Sequence, residues 1–240
     1  MALDAKLVAD RVELLVGKST SYFCNHCLVR NIGLVQYDRC FVAMVEEVKF
    51  LSSSSGSIPQ LWVVEHPPVF TVGFSASPEH FSSLGMLYRK IPFVFADRGG
   101  QVTYHGPGQL VLYLLVDVRR LFSSSPRLFV SCIEEVLVVF FRSKGIDAHL
   151  RNGYPGIYVS DSKLVSLGFR FHKGWSYHGI AINVDMDLAP FSAINPCGDR
   201  GLRMTQLVDI KPNVTISDVP SAIIKALTDC LAKQGGYCGS

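Results

Sequence analysis

The stretch from Asp97 to Val118 constrains this chain more than any other. It begins Asp97-Arg98-Gly99-Gly100-Gln101-Val102-Thr103-Tyr104-His105-Gly106-Pro107-Gly108-Gln109 and continues as the apolar run Leu110 to Val116. Glycines and a proline enclose one short polar strand. Glycine reaches positive φ and lets another chain or a ligand lie against bare backbone. Arg98 brings a forked, permanently charged donor, and His105 brings a group that ordinarily titrates near neutrality. The apolar run reads as a buried strand. A glycine-rich loop tied to such a strand is a good place for a binding site. The same residues also fit a tight hairpin with a basic residue at its mouth.

A buried strand needs a core around it. At 240 residues, 48% of them hydrophobic, the chain has enough apolar material for one large domain, or one with a small appendage. Leu110 to Val116 falls far short of the ~20 apolar residues of a membrane helix, so no membrane partner is expected. The first twenty residues mix Asp4, Lys6, Asp10, Arg11 and Glu13 with short apolar pieces, which is unlike a secretory leader. A cytoplasmic location is the expectation, and an organelle matrix fits equally if a targeting segment is missing. Seven cysteines without framework spacing read as free thiols in a reducing compartment. A net charge of +3 is too small to mark a nucleic-acid partner.

Residues 1–27 read as an N-terminal extension with an irregular amphipathic helix, and residues 28–240 as the domain proper. Cys24-Asn25-His26-Cys27 has the spacing of half a zinc site, but no matching second pair follows, and two unconnected thiols fit better. Leu28 to Val35 reads as the first strand. Tyr37 to Phe50 reads as a helix with Phe41, Met44, Val45 and Val48 on one face. Strands follow at Leu61 to Glu65, Val69 to Gly73 and Phe93 to Ala96, the first ended by His66-Pro67-Pro68. Pro126 opens a helix that Gly145 stops. Gly156 to Val159, Lys163 to Phe171 and Ser176 to Val184 read as strands, with a turn at Asp161-Ser162. Leu188 to Ile194 reads as a helical turn, and Asp218 to Lys233 as a final helix capped by Ser217. Sheet with helices packed on it makes an α/β (α+β) domain.

Several residues carry potential chemistry. Cys197, between Pro196 and Gly198, sits where the backbone is irregular and a thiol is accessible, as a cysteine nucleophile requires. Lys163 opens an otherwise apolar strand, where desolvation lowers an amine's pKa and allows proton exchange near neutrality. A thiolate–ammonium pair of this kind accepts and passes on acyl groups. Taken singly, Cys197 also reads as a small buried hydrophobe and Lys163 as a solvated strand-edge residue. His178 either orients a substrate and shares a proton, or is a satisfied core histidine. Ser166-Leu167-Gly168 offers backbone amides to a carbonyl oxygen, or is an ordinary strand end.

Four segments taken together narrow these choices: RGGQVTYHGPGQ from Arg98, KLVSLG from Lys163, HGIAIN from His178 and NPCG from Asn195. In this order and spacing they resemble the lipoyl(octanoyl) transferase family, over roughly Leu28 to Leu207. The resemblance implies the fold of the biotin/lipoate protein ligase catalytic domain, a mixed β-sheet with helices packed on one side. It implies an acyl-thioester cysteine at Cys197 and a lysine partner at Lys163. It places substrate-binding stretches on Arg98, Gly99, Gly100, Gln101, Val102, Thr103, Tyr104 and His105, on Ser166, Leu167 and Gly168, and on Gly179, Ile180 and Ala181 beside His178.

The implied activity moves an octanoyl group from octanoyl-acyl carrier protein to a lysine of lipoyl domains. Those domains belong to 2-oxoacid dehydrogenase E2 subunits and the glycine cleavage H protein. Thioester exchange needs no ATP, so no cofactor and no metal are implied. Lys163 is expected to take the thiol proton and later to serve as base for the acceptor amine. Carrier proteins and lipoyl domains of this family's reactions are acidic, and Arg119, Arg120, Arg127, Arg170, His172 and Lys173 form either a basic rim or scattered solvated charges. The alternatives are an ATP-dependent lipoate or biotin-type ligase, a cysteine thioesterase or amidase, and a non-catalytic carrier-binding module.

Overall fold

The run Leu110 to Val116 has no polar alternation, so a strand built from it must be covered on both faces. The computed structural model, which describes residues 12–77, 90–194, 201–212 and 214–234, covers it so. Strand β7 (Gln109–Leu115) is buried along its whole length. It lies inside a mixed sheet ordered β1-β2-β3-β7-β11-β10-β9-β8, with β12 paired to β10. The strands are β1 Thr20–Cys24, β2 Cys27–Leu34, β3 Gln60–Glu65, β8 Ala148–Arg151, β9 Tyr154–Val159, β10 Ser162–His172, β11 Trp175–Asn183 and β12 Arg203–Met204. The pairs β2/β3 and β10/β12 are parallel.

Alternate residues of β7 feed two cores. Val111, Tyr113 and Leu115 pack with Trp62, Tyr177 and the helix α1 (Tyr37–Ser53) through Cys40, Met44, Val48 and Leu51. Leu110, Leu112 and Leu114 pack on the other face with α2 (Pro126–Ser143) and α3 (Pro220–Gln234) through Phe129, Ile133, Leu137, Ile223 and Leu227. Helices therefore cover both faces, not one. Ser125 caps α2 by accepting from the Leu128 amide, with Pro126 in the first turn. The last helix begins at Pro220, two residues later than Asp218, because the Asp218 carboxylate is engaged by the Thr215 amide and hydroxyl ahead of it.

A second sheet, ordered β5-β4-β6, stands beside the first. Its strands are β4 Val69–Val72, β5 Phe93–Phe95 and β6 Val102–His105. Consecutive strands β6 and β7 thus lie in different sheets, and the Gly106-Pro107-Gly108 link is a crossing, not a hairpin turn. Phe70, Val72, Val102 and Tyr104 pack on Phe191 and Ile194, around the 3₁₀ turn Ala189–Ala193.

The first strand of the main sheet precedes Leu28. Strand β1 pairs antiparallel with β2, and Asn25 and His26, both at positive φ, form the two-residue turn between them. Cys24 and Cys27 are register partners across that turn, and both are free thiols. The β9–β10 turn falls at Ser160-Asp161, one residue early, with Ser160 at φ +50°.

Candidate active site

Loop 98–101 is held from two sides. The amides of Phe74 and Ser75 donate to the carbonyls of Arg98 and Gly100 at 2.9 and 3.1 Å, and the Gly99 amide donates to Phe169 of β10 at 3.0 Å. Gly73 permits the first approach, since a Cβ there would stand 2.3 Å from the Gly100 oxygen. Arg98, only 8% exposed, turns inward. Its Nη2 donates to the Thr71 carbonyl at 2.7 Å and to Thr71 Oγ1 at 2.8 Å, and Nη1 donates to the Gly99 carbonyl at 3.0 Å. The guanidinium pins the loop to β4 while still lining the cavity described below.

The same threonine starts a polar chain. Gln109 Nε2 donates to the Tyr104 carbonyl at 3.3 Å and to Asn183 Oδ1 at 3.0 Å, which turns Gln109 Oε1 toward His105 Nδ1 at 2.7 Å. His105 Nδ1 therefore carries the hydrogen, and Nε2 accepts from the Thr71 hydroxyl at 3.3 Å. Burial, with the neighbouring His66 and Arg98, pushes His105 down to about 3. The neutrality-range titration expected of His105 does not survive folding. Asn183 continues the chain by donating to the Thr205 carbonyl at 3.0 Å, and the Thr205 amide donates to the Lys163 carbonyl at 3.0 Å.

Lys163 is 1% exposed, not a solvated strand-edge residue. Its position depends on an irregularity in the β9–β10 pairing between Lys163 and Val165. There Gly156 adopts φ +137°, and a Cβ on it would lie 2.2 Å from Lys163 Cε and 3.0 Å from Nζ. The Gly156 amide donates to Glu134 Oε1 of α2 at 3.1 Å. Burial raises the Glu134 carboxyl, while the Gly156 amide and the Lys163 charge pull it back. Lys163 Nζ lies 5.5 Å from the centre of the Tyr158 ring.

These elements enclose one cavity. Its lining includes Lys163, Arg98, Gly100, Gln101, Val102, Thr103 and His105, then Ser166, Leu167 and Gly168 of β10 and His178, Gly179, Ile180 and Ala181 of β11. The β10 and β11 stretches are side by side, because Ser166, Leu167 and Gly168 register with Ala181, Ile180 and Gly179. The structure thus gathers nearly every residue singled out in the sequence. Gly99 and Tyr104 stand behind the lining: Gly99 bonds to Phe169, and Tyr104 packs under Phe70 and Phe191. Cys197 lies outside the described residues.

Three lining side chains carry a buried polar atom that has no hydrogen-bond partner among the described residues: Tyr37 Oη, Gln101 Oε1 and His178 Nδ1. Buried polar groups are rarely left so, and these three line the same cavity. His178 sits at φ +58° in the middle of a buried strand. Its Nε2 lies 2.8 Å from Asp97 Oδ1, and Tyr177 donates its hydroxyl to Asp97 Oδ2. Burial lowers the His178 pKa against the pull of Asp97, while the His178 and Tyr177 hydrogen bonds hold the Asp97 carboxyl below its usual range despite desolvation.

Sequence reasoning missed Tyr37, Val111, Tyr113, Asp97 and Glu134 as neighbours of the site. Tyr37 lies 61 residues before Arg98, and Tyr113 sits inside the apolar run Leu110 to Val116, so neither carries a local signal that sets it apart from the core. Asp97 was legible as the residue leading into the loop. Of the basic residues, Arg119 pairs with Asp117 at 3.1 Å, and Arg170 lies over the Phe74 ring.

The two-sheet fold, with a loop-walled cavity at a buried lysine, defines a class. The model of the lipoyl protein ligase A/B catalytic domain matches residues 41–228. A chain from the structural analysis of the bi-partite lipoate protein ligase of Thermoplasma acidophilum shares the fold at a TM-score of 0.64 and 18% identity, covering 88% of this chain and 84% of that one. Lipoate-protein ligase A bound with ATP gives 0.64 and 18%, over 87% and 86%. Sequence relatives are closer. The octanoyltransferase of Hahella chejuensis is 47% identical over 195 residues, 81% of this chain and 84% of that protein. That of Dechloromonas aromatica is 43% identical over 211 residues, 87% and 98%. The chain belongs to the lipoyl(octanoyl) transferase family, a family of acyltransferases.

Proposed function

We propose that this protein transfers an octanoyl group from octanoyl-acyl carrier protein, through a thioester on Cys197, to a specific lysine of lipoyl domains. Those domains are carried by 2-oxoacid dehydrogenase E2 subunits and the glycine cleavage H protein, and the reaction is the first step of endogenous protein lipoylation in the cytoplasm. The observation that carries the reading is the burial of Lys163 against Gly156 at a cavity whose lining is the loop 98–105 and the paired stretches 166–168 and 179–181. Among the described residues no helix is long and apolar enough to cross a membrane.

In the first half-reaction Lys163 takes the Cys197 proton, and the thiolate attacks the thioester carbonyl carbon. The bond to the donor's sulfur breaks, and the proton leaves with that sulfur. One thioester replaces another, so the step is close to balanced without a nucleotide. Val102, Val111 and Ile180 supply apolar wall for the acyl chain. Loop 98–101 and the β10–β11 stretches hold the carbonyl end. In the second half-reaction the lysine amine bonds to the thioester carbonyl carbon and the carbon–sulfur bond breaks, with Lys163 taking the amine proton and returning it to the Cys197 thiolate, which leaves an amide and the resting pair.

The test is transfer itself. The purified protein is mixed with octanoyl-acyl carrier protein and an apo lipoyl domain, without ATP, and the lipoyl domain is weighed intact. Gain of one octanoyl group is the expected result. Gain only with ATP and free octanoate would replace the transferase by a ligase.

A further inference from the structure

We infer that Cys132 and Cys230 form a reversible disulfide that ties α2 to α3, a thiol modification site on the side of the sheet away from α1. Their Sγ atoms stand 2.6 Å apart, although the residues are 98 positions apart in the chain. Both are half-buried free thiols. Each sits at the border of its helix's apolar stripe. Cys132 follows Phe129 by three residues and precedes Ile133, and Cys230 follows Leu227 by three and precedes Leu231. Those four neighbours are all buried in one core cluster. Packing the two stripes on the sheet therefore sets the thiols face to face.

Contact and access coincide at this pair alone among the described cysteines. Cys27 and Cys40 are buried, and burial pushes both thiols up, Cys27 to about 12. Cys24 is half-buried, but its Sγ lies against Thr228 Oγ1 at 3.2 Å. At the pair, the exposed residues Glu135 and Lys233 follow Cys132 and Cys230 by one helical turn, so the thiols lie near solvent. The hydrogen bond from Cys132 and the charge of Lys233 hold the Cys230 thiol below its ordinary range, against burial and Glu135. The same hydrogen bond and burial raise Cys132. Cys230 is therefore the attacking sulfur and Cys132 the resolving one.

The oxidant is a small-molecule disulfide. The Cys230 thiolate attacks one of its sulfurs, the oxidant's S–S bond breaks, and one small thiolate leaves. Cys132 then gives up its proton and attacks Cys230 Sγ, the mixed disulfide breaks, and the second small thiolate leaves. The two protein thiols lose two electrons, the oxidant becomes two thiols, and the two protons end on them. A dithiol reverses both steps. A disulfide brings its sulfurs to ~2.0 Å, which side-chain rotation supplies with both helices in place. The bond spans 98 positions, and long spans restrict the unfolded chain most. Helix α2 also carries Glu134, which accepts from the Gly156 amide at 3.1 Å, so the tie braces the helix behind Lys163.

The reduced full-length protein is equilibrated in buffers with a rising ratio of oxidised to reduced glutathione, quenched with an alkylating reagent, digested with trypsin and weighed. Trypsin leaves Cys132 in the peptide Leu128–Arg142 and Cys230 in Ala226–Lys233, with no other cysteine in either. At the oxidising end these two peptides should be joined, in a chain that runs as a monomer on a non-reducing gel, and dithiothreitol should separate them again. The oxidised protein should melt roughly 5–15 °C above the reduced one. Cys132→Ser and Cys230→Ser should lose that gain. Alkylation of both residues across the whole series overturns the inference, as does a separate glutathione adduct on each. A link found only between chains overturns it too. So does a linked protein that melts at or below the reduced one, since the native helices would then not hold the bond.

Discussion

Gly156 and Lys163 share one space from adjacent strands: a Cβ on Gly156 would stand 2.2 Å from Lys163 Cε and 2.6 Å from the Val165 carbonyl oxygen. The lysine is buried because the residue beside it has no side chain. Gly156→Ala should displace the lysine and strain a backbone at φ +137°. Destabilisation of at least ~1–3 kcal/mol is expected in denaturant unfolding, with octanoyl transfer reduced much further than the folded fraction. Normal transfer by a fully folded Gly156→Ala variant would contradict the arrangement.

Acid stability follows from two histidines. His66 donates from Nδ1 to the Val35 carbonyl at 2.8 Å and accepts from the Tyr113 hydroxyl at 2.7 Å, and burial lowers it to about 4. His105 is lowered to about 3. Both ordinarily titrate at 6.5. Below that value the unfolded chain binds protons that the folded chain refuses, so stability is complete above pH 6.5 and is lost as pH falls toward 4 and then 3. The slope is at most ~1.4 kcal/mol per pH unit for each histidine. Urea unfolding between pH 7 and 4 measures it, and His66→Gln should flatten it.

How far the sequence reveals this depends on the range of the forces involved. The apolar face Phe41, Met44, Val45 and Val48 placed α1, and proline and glycine punctuation placed α2 and the ends of several strands within a few residues, because those signals are local. The unbroken run Leu110 to Val116 announced a strand covered on both faces. The separation of β6 from β7 into different sheets was not legible, since a Gly-Pro-Gly link looks the same in a turn and in a crossing. Strand β1 was hidden in a short, largely exposed stretch whose pairing is decided by β2. Within the site, Lys163, loop 98–105 and the stretches 166–168 and 178–181 were readable as motifs. The partners that set their chemistry were not: Asp97 meets His178 across 81 positions, and Thr71 meets His105 across 34. Only the folded chain brings them together, and it reverses the expectation that His105 titrates near neutrality.

Tyr37 tests whether the unpaired atoms of the cavity serve a ligand. Its hydroxyl is buried without a hydrogen-bond partner among the described residues, and its ring stacks on His105 at 5.8 Å. Removing an unsatisfied hydroxyl leaves packing intact, so Tyr37→Phe should unfold at the wild-type temperature or slightly above it. KM for the acyl donor should rise several-fold in steady-state transfer. A clear loss of stability with unchanged KM would make the hydroxyl structural.

Arg98 is predicted to act through the loop it pins. Lys at this position keeps the charge but cannot reproduce donation to Thr71 and Gly99 at once. Arg98→Lys should lose ~1.5–3 kcal/mol of stability, and amide exchange should accelerate at Gly99 and at Phe74 and Ser75, which bond to the loop. Unchanged exchange at those amides would show that the loop holds without the guanidinium.

The central claim is a covalent octanoyl-enzyme whose formation needs both Cys197 and the buried Lys163. The most direct measurement incubates the protein with octanoyl-acyl carrier protein alone and weighs it intact beside Cys197→Ser and Lys163→Ala. The account predicts one octanoyl group on wild type, none on Cys197→Ser and little or none on Lys163→Ala. A wild type that stays unmodified, yet octanoylates a lipoyl domain when given ATP and free octanoate, would contradict it.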